Sequence, residues 1–175
     1  SVGQGDTGTT VLSADNTYTG ATNITQGTLQ LGAGGTTGAV ASAAIHNNGA
    51  LVVDHSNAAV LSQVIDGTGS FAQAGTGTTV LSANNTYTGA TSITQGTLQL
   101  DRKSVAEGKG VALGRRRVTL KADRSNAAVL SPVIDGPGSL APAGTGTTVL
   151  HGDNSYTGAT HIPQGTLPLD TMRAG

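Results

Sequence analysis

The 175-residue chain has no cysteine and no tryptophan. Without cysteine there are neither disulfides nor thiolate metal sites. Aromatic residues make up 2% and charged residues 11% of the chain, against roughly 25% charged in an average globular domain. So few large side chains cannot easily build a thick globular core. The low charge also argues against disorder, which combines low hydrophobicity with high charge. The net charge of −1 gives the chain as a whole no electrostatic case for nucleic acid or an anionic membrane. No run approaches the roughly 18 consecutive apolar residues of a membrane helix. Ser1–Gly5 does not have the pattern of a signal peptide, so the targeting segment of an exported protein would lie outside this sequence.

What the chain does have is glycine, 27 residues of it, and short β-branched runs that repeat. Gly8–Leu31, Gly77–Leu100 and Gly146–Leu169 are three copies of one segment, offset by a constant 69 in the numbering. The first two differ only at Asp15/Asn84 and Asn23/Ser92. A second block, Ser56–Gly75, recurs as Ser125–Gly144 with the same offset. The units run over 8–76, 77–145 and, in part, 146–175, within a single domain covering 1–175.

Within a unit, Thr10 and Leu12 alternate with Thr9 and Val11, Leu29 and Leu31 with Thr28 and Gln30, and Leu51 and Val53 with Ala50 and Val52. Period-two patterning in runs of four or five signals strands. Asp15-Asn16, Gln26-Gly27, Asn47-Asn48-Gly49 and Asp66-Gly67 lie between the runs. Gly and Asn tolerate positive φ and so mark turns. Repeated short strands fit a propeller or a solenoid. A propeller usually carries a Trp-Asp or aromatic signature, which is missing. The expectation is therefore an all-β chain, a right-handed parallel β-helix (β-solenoid), with the hand taken from the rule for parallel crossovers. A unit of 69 divides into three turns of 23, giving about 7–8 coils of ~23 residues and a rod of roughly 35 Å.

The stretch GTTVLSADNTYTGATNITQGTLQLG closely resembles the autotransporter-associated β-strand repeat, at Gly8, Leu12, Asn16, Thr17, Tyr18, Thr19, Gly20, Thr22, Ile24, Gly27, Thr28, Leu29, Leu31 and Gly32. In the second copy Asp101 replaces the last glycine. The resemblance implies a passenger of a type V secretion system: a structural stalk, secreted or displayed at the cell surface, that supports secretion and adhesion. It implies a C-terminal outer-membrane β-barrel on the same polypeptide and a host or neighbouring cell surface as partner. It carries no catalytic residues that transfer to this chain.

The residues themselves offer little chemistry. No catalytic, cofactor-binding or metal-binding residue is assigned, no cofactor is expected, and no nucleic-acid partner is expected. His151 stands where the other copies have Ser13 and Ser82, and His161 where they have Asn23 and Ser92, so these positions vary between copies, and His46 and His55 are read with them as surface residues. Asp54 and His55 are strand neighbours on opposite faces. Asp66 and Asp135 precede glycine and are read as turn residues whose carboxylates bond backbone N–H groups. Asn16, Asn85 and Asn154, each two residues before a tyrosine, are read as bonding exposed backbone at bends. Thr-x-Thr motifs recur once per unit, too sparsely for an ice-binding face. The alternative function, a β-helical polysaccharide-active enzyme, would need converging carboxylates with a basic partner.

One segment breaks the repeat. Of nine lysines and arginines, eight lie between Arg102 and Arg124. Residues 101–124 share little with the equivalent 32–55. One reading makes Arg115, Arg116, Arg117 and Lys121 a polyanion-binding patch, and another makes them a solvated face. A third makes the stretch foreign to the protein, since it resembles translated sequencing-adaptor DNA. The five prolines fit the third reading. Pro132, Pro142 and Pro168 stand where other copies have Gln, and Pro137 and Pro163 where they have Thr.

Overall fold

The computed structural model describes residues 1–100, 111–114, 119–122, 128–130 and 133–168. Among the described residues every regular element is a strand. In chain order they are β1 (Val2–Gln4), β2 (Thr9–Leu12), β3 (Thr22–Ile24), β4 (Thr28–Leu31), β5 (Ala44–Asn47), β6 (Ala50–Val53), β7 (Ala58–Leu61), β8 (Val64–Asp66) and β9 (Ser70–Gln73). There follow β10 (Thr78–Leu81), β11 (Thr91–Ile93), β12 (Thr97–Leu100), β13 (Val111–Leu113), β14 (Thr119–Ala122), β15 (Ala128–Leu130), β16 (Ile134–Asp135), β17 (Ser139–Pro142) and β18 (Thr148–Leu150).

All strand pairs are parallel. They form a seven-stranded sheet β16-β13-β11-β9-β6-β4-β2, a five-stranded sheet β17-β14-β12-β10-β7, a four-stranded sheet β1-β3-β5-β8 and the pair β15-β18. The chain visits these faces in turn, which makes it a β-solenoid. Alternation sets the packing: β4, β6, β9, β10 and β12 each bury every second residue. Leu29, Leu51 and Phe71 stack in register and are fully buried. Each such side chain contributes roughly 1.5–3 kcal/mol through burial. The bends depend on glycine at one repeated position. Gly27, Gly96 and Gly165 all have positive φ, and a Cβ there would lie 2.1–2.3 Å from a backbone oxygen of the preceding coil.

The coil is shorter than a third of the repeating unit. Steps along the seven-stranded sheet are Thr9 to Thr28, Thr28 to Ala50, Ala50 to Ser70, Phe71 to Thr91, Thr91 to Val111 and Val111 to Ile134. The shortest is Thr9 to Thr28 and the longest Val111 to Ile134, with a mean close to 21. Together they describe about six turns in place of the 7–8 coils expected. The repeating unit is therefore about three and one-third turns, so equivalent strands fall on successive faces. Of the TTVL segments, β2 lies in the seven-stranded sheet, β10 in the five-stranded sheet and β18 in the pair. Likewise β3, β11 and the Thr160 bridge to Leu140 lie on the four-, seven- and five-stranded sheets. Sequence division by three fails because turn lengths at the bends, not the repeat length, set the pitch.

Two irregularities interrupt this pattern. The step from Thr22 to Ile45 is longer by three than the step from Thr91 to Val111, and the deficit is recovered by Ile134, the equivalent of Ile65. Gly32 and Gly38 have positive φ, with backbone within 2.4 Å of any added Cβ. Asp101 and Glu107 stand at the equivalent positions, outside the described residues. In the third copy, strands equivalent to β11 and β12 shrink to isolated bridges at Thr160 and Thr166. Thr94 N–H donates to the Gln73 carbonyl at 2.9 Å, and Thr25 N–H to the Gln4 carbonyl at 2.9 Å. Pro163, at the same position, has no N–H to give.

Candidate functional site

The repeat-borne polar residues are structural. Asn85 Oδ1 accepts the Ile65 N–H at 2.7 Å, and Asn154 Oδ1 the Ile134 N–H at 2.8 Å, one coil apart in each case. The hydroxyls of Tyr18, Tyr87 and Tyr156 each meet the threonine four residues on, Thr22, Thr91 and Thr160, at 2.7–2.8 Å. Tyr87 is buried against Phe71, ring centroids 6.1 Å apart. That burial pushes its hydroxyl up to about 12.

Two sequence expectations need correction. Asp66 does not cap its turn. It lies at the end of β8, where its carboxylate pairs with His46 Nδ1 across the coil boundary at 2.8 and 3.0 Å. The two residues are register partners. Nor are the histidines uniformly at the surface. His46 and His161 are exposed and His151 half-buried, but His55 is only 5% exposed. Asp54, its neighbour, is half-buried on the opposite side of the strand end. Lys121 lies in β14, half-buried, in register with Gln99 and Ala141. Arg115, Arg116 and Arg117 lie outside the described residues. Among the described residues no three His, Cys, Asp or Glu side chains come together to hold a metal.

A feature the sequence did not announce lies beside β7. Residues 33–39 form no strand, so the five-stranded sheet begins at β7, which has a strand partner on one side only. Between β7 and the 36–40 loop is a cavity of about 230 Å³ lined by Asp15, Thr36, Val40, His55, Asn57 and Ala58–Leu61, among others. Asp15 Oδ1 accepts the N–H groups of Gly38 and Ala39, both at 2.9 Å. The Ala39 bond, then the Gly38 bond, hold its carboxyl below the usual range, and His55 adds to the effect. Among the described residues, the buried polar side-chain atoms without a hydrogen bond are Ser42 Oγ, His55 Nε2 and Gln63 Oε1. All three belong to the coil bordering this gap. The available signal was the glycine cluster Gly32, Gly34, Gly35 and Gly38, a composition that disfavours a strand.

The family model for the passenger-associated-transport-repeat matches three stretches, residues 4–31, 71–100 and 143–168. The chain is also 42% identical over 64 residues to the adhesin BmaC autotransporter of Brucella suis biovar 1 (strain 1330), an alignment covering 37% of this chain and 2% of that protein. The chain thus corresponds to a small part of that relative's length. No solved structure matches.

Proposed function

We propose, for a chain that carries three passenger-associated transport repeats, that it is a stalk segment of a surface-displayed autotransporter. Its role is non-enzymatic: it extends and presents an adhesive passenger outside the cell, with a C-terminal outer-membrane barrel on the same polypeptide. The recurrence of the transport repeat at a fixed spacing carries this proposal, and the similarity to an adhesin autotransporter supports it. The architecture suits the role. Each coil buries its inner row only against its neighbours, so length is added without redesigning a core. Adding a third of a turn per unit turns each copy's outward residues to a new face, which spreads contacts around the rod.

The test uses the full polypeptide in its own cells. Extracellular protease and antibodies against this segment should reach it on intact cells. Removing residues 8–145 should reduce attachment to host or neighbouring cells while the barrel still assembles. Protection from protease on intact cells, or unchanged attachment after removal, refutes the proposal.

A second proposal assigns Arg115, Arg116, Arg117 and Lys121 to polyanion binding. The run of basic residues in the sequence supports it. Heparin should then bind in a salt-sensitive way and be lost when the three arginines become Ser. Binding unchanged by that substitution ends it.

A further inference from the structure

We propose that the gap beneath β7 receives a lysine or arginine side chain of a partner polypeptide, with Asp15 as counter-ion. Four observations converge. Residues 36–40 form no strand of the five-stranded sheet, so the open edge of β7 borders a cavity of about 230 Å³. Exposed Val60 and Ala58, with Ala59, Leu61 and Val40, give the cavity apolar walls, which suit the aliphatic stem of a long cationic side chain. Asp15 supplies the charge. Its Oδ1 takes both bonds from the 38–39 backbone, and among the described residues Oδ2 makes none. Finally, His55 lines the same cavity with an Nε2 that has no hydrogen-bond partner, although the residue is 5% exposed.

The surrounding charge selects the sign of the guest. Residues 1–100 contain four aspartates, Asp6, Asp15, Asp54 and Asp66, and no lysine or arginine. No side chain of this stretch can neutralise Asp15 except a protonated histidine. An ammonium or guanidinium from outside meets the Asp15 carboxylate at the rim and the apolar residues of β7 behind it. The site belongs to the first unit alone. At the equivalent positions the second unit has Asn84 for Asp15, Val105 for Thr36, Lys109 for Val40 and Arg124 for His55. The near-identical second copy of the strand segments is thus an internal control.

The experiment titrates the isotopically labelled chain with N-acetyl-lysine amide and N-acetyl-arginine amide, and separately with N-acetyl-norleucine amide, which has the stem without the charge. Amide resonances of Gly38, Ala39 and Ala58–Leu61 are followed. The cationic probes should give saturable shifts confined to these residues, and the norleucine probe should not. Asp15→Asn copies the residue of the second unit and keeps an oxygen for the Gly38 and Ala39 N–H groups, so the fold should persist. It should weaken binding tenfold or more. Ala58→Lys, at an exposed position on the lip, places a tethered ammonium at the mouth and should abolish binding. Equal response to norleucine amide, unchanged affinity in either variant, or no saturable shift overturns the proposal.

Discussion

Asn85 and Ile65 lie 20 residues apart in the chain and are joined by a 2.7 Å hydrogen bond from the Ile65 N–H to the Asn85 side-chain oxygen. Thr86 and Thr88 N–H groups continue the contact onto the Ile65 and Gly67 carbonyls, each at 2.9 Å. The asparagine thus substitutes for a strand partner where the chain bends.

Replacing Asn85 by Ala leaves the buried Ile65 N–H without an acceptor. The expected loss is ~1–3 kcal/mol, read from denaturant unfolding, with faster hydrogen exchange at the Ile65 amide. Asn16→Ala should cost less, because among the described residues the Asn16 side chain bonds only the nearby Ala14 carbonyl, at an exposed site. Equal costs at the two positions would contradict the proposed role of Asn85.

The rotation of one face per unit is testable with spin labels. Val60 and Val80 are register partners on the outer side of β7 and β10, so their Cα atoms lie about 4.8 Å apart. Labels on cysteines at 60 and 80 should broaden each other strongly. Labels at 11 and 80 should not, because β2 and β10 belong to different sheets. A stack of three whole turns per unit predicts Val11 and Val80 on one face. An unbroadened 60/80 spectrum would rule out the observed register.

Much of this fold was legible in the sequence because alternation and turn chemistry are local. The Leu29/Leu31 and Leu51/Val53 pairs marked the inner faces, and the Asn-x-Tyr segments marked bends, though not which residues they bond. The pitch was not legible. It depends on how many residues each bend absorbs, and 69 divides by three whether or not the chain does. Nor does identical sequence mean identical environment. The TTVL of β2, an outermost strand, is largely exposed, whereas that of β10, an inner strand, alternates half-buried and buried. The cavity at Asp15 was hidden for the same reason. It is a missing strand, visible only once its neighbours are stacked.

The third copy should be the weakest part of the rod. Gln73 donates through Nε2 to the Gly75 and Gly77 carbonyls at 2.8 and 3.3 Å and accepts from the Thr79 hydroxyl. Gln4 makes the same set with Asp6, Gly8 and Thr10. Pro142 stands at this position just ahead of the third copy and supplies neither amide group. Pro142→Gln should stabilise the terminal coils by about 1–2 kcal/mol, and Gln73→Ala should destabilise by ~1–3 kcal/mol. Hydrogen exchange resolved along the chain measures both. If Pro142→Gln leaves protection around Thr148 unchanged, the side-chain clamp does not hold this turn.

Tyr87 gives a stability change at alkaline pH. Burial raises its hydroxyl to about 12 against an ordinary value of 10.0, while the Thr91 hydrogen bond acts in the opposite direction. The folded state therefore holds the Tyr87 proton more tightly than the unfolded chain. Its contribution is fully present below pH 10 and is lost as pH rises towards 12, because the unfolded chain releases the proton first. A shift of this size corresponds to roughly 2–3 kcal/mol. Tyr87→Phe removes the titrating group, so the variant should lose less stability than the parent between pH 10 and 12. The parent-minus-variant absorbance at 295 nm should show phenolate appearing only near the upper end of that range. A Tyr87 phenolate that forms near pH 10 in the folded protein would show that the ring is not buried against Phe71.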